Sequence, residues 1–428
     1  MNCIAIKRNL ALLLLACYTG INIPVAAATD RDDSLAYSVR YQLTPAPGTN
    51  SIEVSMTVRQ ERALLRELRF QAGPNISDIV VDGNELESVD EVTWRPGASG
   101  GTLSWSVEIG NERNGNGYDA WFENDWGIFR AEDVIPRAAT RTVRGAHSKT
   151  TLQIDLPDNW TMVTAYPLVD NSFSIDKDYR NFDQPDGWIA IGRLGVRREQ
   201  IAGARVTVAG PVGHSVGRME ILAVLNWTLP ELSRALGDLP ERLTIVSAGE
   251  PMWRGGLSGP NSLFLHADRP LISENSTSPL LHEVMHSILR ISAAEGYDWL
   301  VEGIAEYYSL ELLRRSGSIS ESRYEKALAF QKNWSASADS LCKSSSTGAT
   351  TALAVMTMSA LDAEIQNRSS GKASLDGVVL ALRENPRQIT LGDVLAITED
   401  LIGSESVSLQ LDKLPGCRTI QSNAQESG

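Results

Sequence analysis

The sequence predicts an α+β multidomain fold, β-rich first, mixed in the middle and helical at the end, from three observations along its 428 residues. Apolar residues alternate with period two from Tyr37 to about Val208, strand and helix patterns mix after Gly210, and helix-period spacing takes over after Ser278-Pro279. Hydrophobic residues make up 42% and charged residues 21%, ordinary globular usage that excludes a fibrous or wholly disordered chain.

The β-rich part is read strand by strand. Tyr37, Val39, Tyr41 and Leu43 alternate with polar residues, and Ile52, Val54, Met56 and Val58 repeat the pattern beyond the turn-forming Pro45 to Asn50. Leu103, Trp105, Val107 and Ile109 follow, then Leu152, Ile154 and Leu156, then Val206 and Val208. Gly-rich loops at Arg95 to Gly101 and Asn111 to Gly117 separate them, so residues 29–210 are expected to form an antiparallel β-sandwich with Trp94, Trp105, Trp121 and Trp126 building its core. Past Gly210-Pro211-Val212-Gly213 come helical segments at Met219 to Trp227 and Leu232 to Leu236, interrupted at Pro230. Strands follow at Leu243 to Val246 and Ser262 to His266, and helices at Leu280 to Ile291, Trp299 to Arg315, Glu321 to Gln331, Ala352 to Gln366 and Leu375 to Leu382. Residues 211–335 therefore form a mixed domain and 336–428 a helical C-terminal region.

Residues 1–28 read as a secretory signal peptide. Lys7 and Arg8 make the basic segment, Leu10 to Cys17 the apolar core, and Ala26-Ala27-Ala28 the cleavage site. The alternative is lipid attachment at Cys17, because Leu14-Leu15-Ala16-Cys17 loosely fits a lipobox. The expected location is the periplasm after secretion across the inner membrane, with an outer-envelope lipid anchor or the extracellular space as alternatives. No transmembrane span is expected, since no stretch reaches the roughly 18 apolar residues one needs. The net charge of −14 argues against nucleic acid as a partner. Once the signal leaves with Cys3 and Cys17, Cys342 and Cys417 remain, and two cysteines in an oxidising compartment are expected to pair. Such a bridge closes a loop of about 75 residues, a stabilisation of roughly 4 kcal/mol in the loop-entropy account.

Two of the five histidines lie in His282-Glu283-Val284-Met285-His286. On a helix, positions i and i+4 share one face about 6 Å apart, so both imidazoles reach a single zinc ion, one per chain. Glu283 then points to the side where a water would sit, the place of a general base. Ser278 as N-cap and Pro279 at the first helical position support the helix. Catalytic zinc takes a third protein ligand. Asp298 to Tyr308 supplies it: Glu302 is assigned as ligand and Glu306, one turn on, as the acid that orients a ligand histidine, with the reverse assignment as the competitor. Tyr307, Tyr308 and His266 are candidate oxyanion donors, each with a structural role as the alternative, and Glu250 is a candidate for the amine end of a substrate.

His-Glu-x-x-His followed by Trp299-Leu300-x-Glu302-Gly303-x-Ala305-x-Tyr307 resembles the gluzincin aminopeptidases, and most of all the glycyl-aminopeptidase-like family. The likeness extends to Phe182 to Gly213, to Gly255-Gly256-Leu257 leading into Ser262 to His266, and to Leu361-Asp362 with Gly371 to Asp376. The resemblance implies a thermolysin-like catalytic domain in 211–335, zinc-dependent hydrolysis of a peptide substrate, and an edge strand beside the active site. Three departures stand out. The linker Ser287 to Val301 is short for the family. The window Thr350-Thr351-Ala352-Leu353-Ala354 lacks the family's tyrosine, a transition-state stabiliser there. About 25 residues follow Gly403, too few for the family's PDZ domain. The expected function is thus an exported zinc peptidase of aminopeptidase type. A zinc endopeptidase, or a non-catalytic zinc- or polypeptide-binding protein on the same scaffold, is the alternative.

Overall fold

In a computed structural model the described residues are 33–85, 90–175, 180–384 and 388–417. The signal segment and Cys17 lie outside them.

The alternating apolar residues do what period two requires: they turn to one face and are buried. Strand Ala36–Ala46 pairs antiparallel with Ser51–Arg59, Val39 facing Val58 and Leu43 facing Val54, and Ser51–Arg59 pairs onward with Gly100–Glu108. On its other side Ala36–Ala46 pairs with His147–Ile154 in parallel, so this eight-stranded sheet is mixed rather than purely antiparallel. The long connection between the two strands, which carries most of the other β-strands, makes a parallel pairing sterically available. A five-stranded sheet containing Trp126–Arg130 and Trp188–Gly192 and a three-stranded sheet around Leu65–Gln71 complete the β-rich part. Tyr41, Leu43, Ile52, Met56, Trp94 and Phe122 fill its core, each such side chain contributing roughly 1.5–3 kcal/mol. One short helix, α1 (Ala131–Val134), was not expected there; it receives the Trp105 indole N–H at the Val134 carbonyl, 2.9 Å away.

The second half is organised by another five-stranded sheet. Its strands run Leu194–Ile201, Ala204–Pro211, Arg242–Val246, Ser262–Leu265 and, at the edge, Gly256–Gly259. Helix α2 (Arg218–Leu236) makes the crossover between the parallel strands Ala204–Pro211 and Arg242–Val246. It is continuous through Pro230, where the sequence predicts a break. Proline costs one backbone bond, but Leu225, Leu229, Leu232 and Leu236 are all buried around it and hold both halves in line. Six helices follow: α3 (Pro279–Leu289), α4 (Asp298–Arg315), α5 (Glu321–Ser335), α6 (Ala349–Arg368), α7 (Leu375–Glu384) and α8 (Leu391–Ile402). One apolar core runs from Ile201 through these helices to Cys417, and a disulfide joins Cys342 to Cys417. Among the described residues no helix is long and apolar enough to cross a membrane.

A smaller cluster locks the halves together. Trp126, Ile128 and Trp188 from the β-rich part pack on Val246, Met252 and Phe264. The Trp188 indole N–H donates to the Leu257 carbonyl at 2.9 Å, and its backbone N–H to the Ser262 hydroxyl at 2.9 Å. The β-rich part is therefore fixed directly to the edge strand.

Candidate metal centre

Helix α3 starts where the sequence says it should. The Ser278 hydroxyl accepts the Leu281 N–H at 3.2 Å and donates to the Leu271 carbonyl at 2.6 Å, with Pro279 at the first helical position. Leu280, Leu281, Val284, Met285 and Ile288 bury one face, which leaves His282, Glu283 and His286 together on the half-buried opposite face. Helix α4 packs against α3. Its first turn is tied down by Asp298, whose carboxylate accepts the Ser346 N–H at 2.6 Å, and by the buried Trp299 and Leu300. Glu302 and Glu306, one turn apart, face α3.

His282 Nε2 and His286 Nε2 stand 3.0 Å apart, and the two carboxylate oxygens of Glu302 lie 3.3 Å from His282 Nε2 and 3.4 Å from His286 Nε2. Each of the three residues offers one donor atom to a common point, and those atoms lie within 4.8 Å of one another. Donors about 2.0–2.1 Å from a tetrahedral zinc stand roughly 3.3 Å from each other, so the triad fits that ion. Glu306 sits behind it. Its carboxylate lies 3.0 Å from His282 Nδ1, which places the proton on Nδ1 and leaves Nε2 as a lone-pair donor. In the structure Glu302 is thus the acid beside both Nε2 atoms, and Glu306 the one beside His282 Nδ1.

Electrostatics follow from crowding. Burial opposes a charge on His282, but its bonds to Glu302 and Glu306 prevail and push its pKa up to about 10 in the metal-free protein. Burial and the neighbouring His282 hold His286 down to about 4, neutral and ready to ligate. Glu283 is pushed up to about 7, first by burial, with Glu302 adding to it while His282 and Ser258 pull back. Its side chain lies on the edge strand: a Cβ built on Gly256 would come within 2.6 Å of Glu283 Cγ and 2.9 Å of Oε1.

No family model and no curated protein sequence matches the chain. Solved structures do. An aminopeptidase N family protein from Idiomarina loihiensis superposes with a TM-score of 0.61 at 17% identity, over 90% of this chain and 75% of that one. An M1 zinc metallopeptidase from Deinococcus radiodurans, a mutant bound to a Tyr-Ser-Ala substrate, gives 0.54 at 16% identity, over 88% and 91%. The chain shares the fold of these two proteins.

The other residues singled out in the sequence are placed elsewhere in this fold. The Tyr307 hydroxyl donates to Asp362 at 2.7 Å, and that of Tyr308 to Asp376 at 2.5 Å. Both rings are buried and directed into the helical region, so these hydroxyls brace α4 against α6 and α7 rather than face the triad. His266 is also buried: its Nδ1 accepts the Asp268 N–H at 3.2 Å, burial lowers its pKa, and its Nε2 has no partner among the described residues. Glu250 pairs with Arg254 at 2.8 Å on the exposed side of its loop. None of these four is brought to the three-donor cluster.

Residues that sequence reasoning passed over complete the surroundings. A cleft of about 800 Å³ opens beside His286, between Ser258 and Gly259 of the edge strand, Arg290 after α3, and Arg137 and Arg180 of the β-rich part. The local signal was the glycine pair Gly255-Gly256. Nothing periodic announces the upstream arginines.

Proposed function

We propose that the protein is a zinc metallopeptidase of aminopeptidase type, exported to the periplasm. The observation that carries the reading is the convergence of His282, His286 and Glu302 beside the buried carboxylate of Glu283, which Ser258 of the edge strand holds by hydrogen bonds. Zinc, when bound, supplies positive charge that lowers the pKa of water and polarises the scissile carbonyl. The chain's residues do the rest. The edge strand Gly256–Gly259 leaves one side unpaired and receives an extended peptide by backbone hydrogen bonding. Glu283 takes the proton of the attacking water and returns it to the departing amine nitrogen, so that water and one peptide bond become one carboxylic acid and one amine. A carboxylate with a pKa near neutrality suits both halves of that transfer. Glu306 keeps His282 in the tautomer that ligates.

Removal of N-terminal residues is the mode favoured by the aminopeptidase relatives in fold. The Cys342–Cys417 disulfide supports export, because bridges of this kind are rare in reducing compartments. The experiment is zinc analysis together with hydrolysis of aminoacyl-amide and internally quenched peptides by wild type and Glu283→Gln. Stoichiometric zinc with chelator-sensitive cleavage, lost in Glu283→Gln while its zinc stays bound, is the expected result. Zinc without cleavage in the wild type would turn the reading to a binding protein, and an active Glu283→Gln would remove Glu283 as base.

A further inference from the structure

The cleft beside His286 is electrostatically out of character with the rest of the molecule. The chain carries a net charge of −14, yet Arg180 and Arg290 line this cleft and also the neighbouring one of about 600 Å³ that shares Pro260 and Asp186 with it. Both side chains are exposed, and neither has a side-chain partner among the described residues. The carboxylates of the cleft, by contrast, are bound to the scaffold. Glu132 accepts the Gly187 N–H at 2.8 Å, with Arg137 at 3.8 Å, and Asp186 accepts the Tyr166 hydroxyl at 2.8 Å. Arg290 adds a second oddity: it caps α3 in the left-handed conformation, φ 55°, where glycine is favoured and a long side chain is not. What the cleft presents to solvent is therefore a pair of uncommitted guanidinium groups.

Geometry relates the pair to the reaction. Gly256 lies under Glu283, and Ser258, Gly259 and Pro260 form the cleft wall. At about 3.3 Å per residue, a peptide paired with the edge strand travels roughly 7–13 Å from the scissile bond to this wall, two to four residues. We infer that Arg180 and Arg290 form a subsite for a peptide carboxylate two to four residues from the bond that is cut, either the C-terminal carboxylate of a short peptide or an Asp or Glu side chain. The planar guanidinium fork matches either source of that group. This inference rests on the peptidase reading and specifies its substrate.

The test uses the full-length zinc-loaded protein and one neutral peptide backbone in four forms: amidated, free acid, amidated with one Glu, and amidated with one Lys. The free-acid or Glu form is cleaved with a kcat/KM about tenfold to a hundredfold above the neutral amide, and which of the two is preferred identifies the source. Arg180→Gln and Arg290→Gln each bring that ratio towards one, mainly through KM. Arg290→Lys keeps part of it, and Arg290→Glu turns the preference to the Lys peptide, a reversal that misfolding does not produce. Equal kcat/KM for the four peptides, or a ratio unmoved by the arginine variants, overturns the subsite. If no peptide is cleaved the peptidase reading fails separately. The same four peptides, labelled and titrated into Glu283→Gln protein by fluorescence anisotropy, then decide the subsite: tighter binding of the carboxylate forms sustains it and equal Kd values refute it.

Discussion

Gly256→Ala tests how the edge strand and the base are matched. The substitution adds one methyl group where its carbon would stand 2.6 Å from Glu283 Cγ, 2.9 Å from Oε1 and 3.1 Å from Cδ. Ordinary carbon contacts begin near 3.4 Å, so the middle of the Glu283 side chain has to retreat by about 0.8 Å. The methyl group touches the base along its length rather than at a free tip, which makes a costless rotation unavailable. A misplacement of this order in a reacting group lowers turnover by about 100-fold. The methyl group is added on the edge strand, whereas His282, His286 and Glu302 are carried by α3 and α4, so metal binding should survive. The assay is kcat and KM on a cleaved peptide, with zinc per chain by elemental analysis and a thermal melt on the same sample. Full zinc, near-native Tm and a kcat reduced about 100-fold is the expected outcome. A zinc-loaded, folded Gly256→Ala enzyme within twofold of wild type would refute the placement of Glu283 against this strand as the base of the reaction.

Glu302→Ala should remove a donor and Glu306→Ala only its support. In chelator competition Glu306→Ala loses zinc affinity by about 10–100-fold and Glu302→Ala by more, and the opposite order would exchange their roles. Breaking the Cys342–Cys417 bridge by Cys417→Ser frees a segment spanning 75 residues of sequence; a loss of about 4 kcal/mol should appear as a lower denaturation midpoint, with reductant causing the same shift in wild type and none in the variant. The metal-free protein should respond to pH through His282, whose pKa is raised to about 10 from 6.5. A raised histidine adds stability that is complete below the unfolded pKa and disappears as pH climbs through the folded one, so melts of chelator-treated protein should fall between about pH 6.5 and 10, and less steeply in His282→Gln.

The convergence of the candidate donors was legible because the information is local. His282 and His286 are spaced by one helical turn, and so are Glu302 and Glu306, and a helix converts that spacing into a shared face without reference to anything else in the chain. Helix α3 was legible for the same reason, its cap and proline being adjacent in sequence. Helix-face arguments went no further with Tyr307 and Tyr308. Their partners, Asp362 and Asp376, are 55 and 68 residues away, and only the packing of α6 and α7 decides which way those hydroxyls point. Pro230 misled in the same direction, because a proline's local cost is visible and the four buried leucines that offset it act only in the folded core. The strands were readable from alternation, but the parallel partner of Ala36–Ala46 was not, since alternation fixes a face and leaves the neighbour open.

These differences join at α4. One side of the helix presents Glu302 and Glu306 to α3, and the other anchors Tyr307 and Tyr308 in the helical region through Asp362 and Asp376, while Glu311 pairs along α4 itself with Arg314 at 2.6 Å and Arg315 at 2.7 Å. Between the two sides, Gly303 lets α6 approach so closely that a Cβ there would lie 2.8 Å from that of Ala354. Ala354 belongs to the window Thr350 to Ala354, where the family resemblance implies a tyrosine and this sequence has none. In this chain Thr350, Ala352 and Ala354 are buried, so that turn of α6 is committed to supporting α4 beside Glu302. The helical region thus bears on the site through the position it gives α4. A bulkier residue at Gly303 should accordingly lower zinc affinity even though it touches neither histidine, because any shift of α4 away from α6 moves Glu302 relative to the two imidazoles that α3 holds in place.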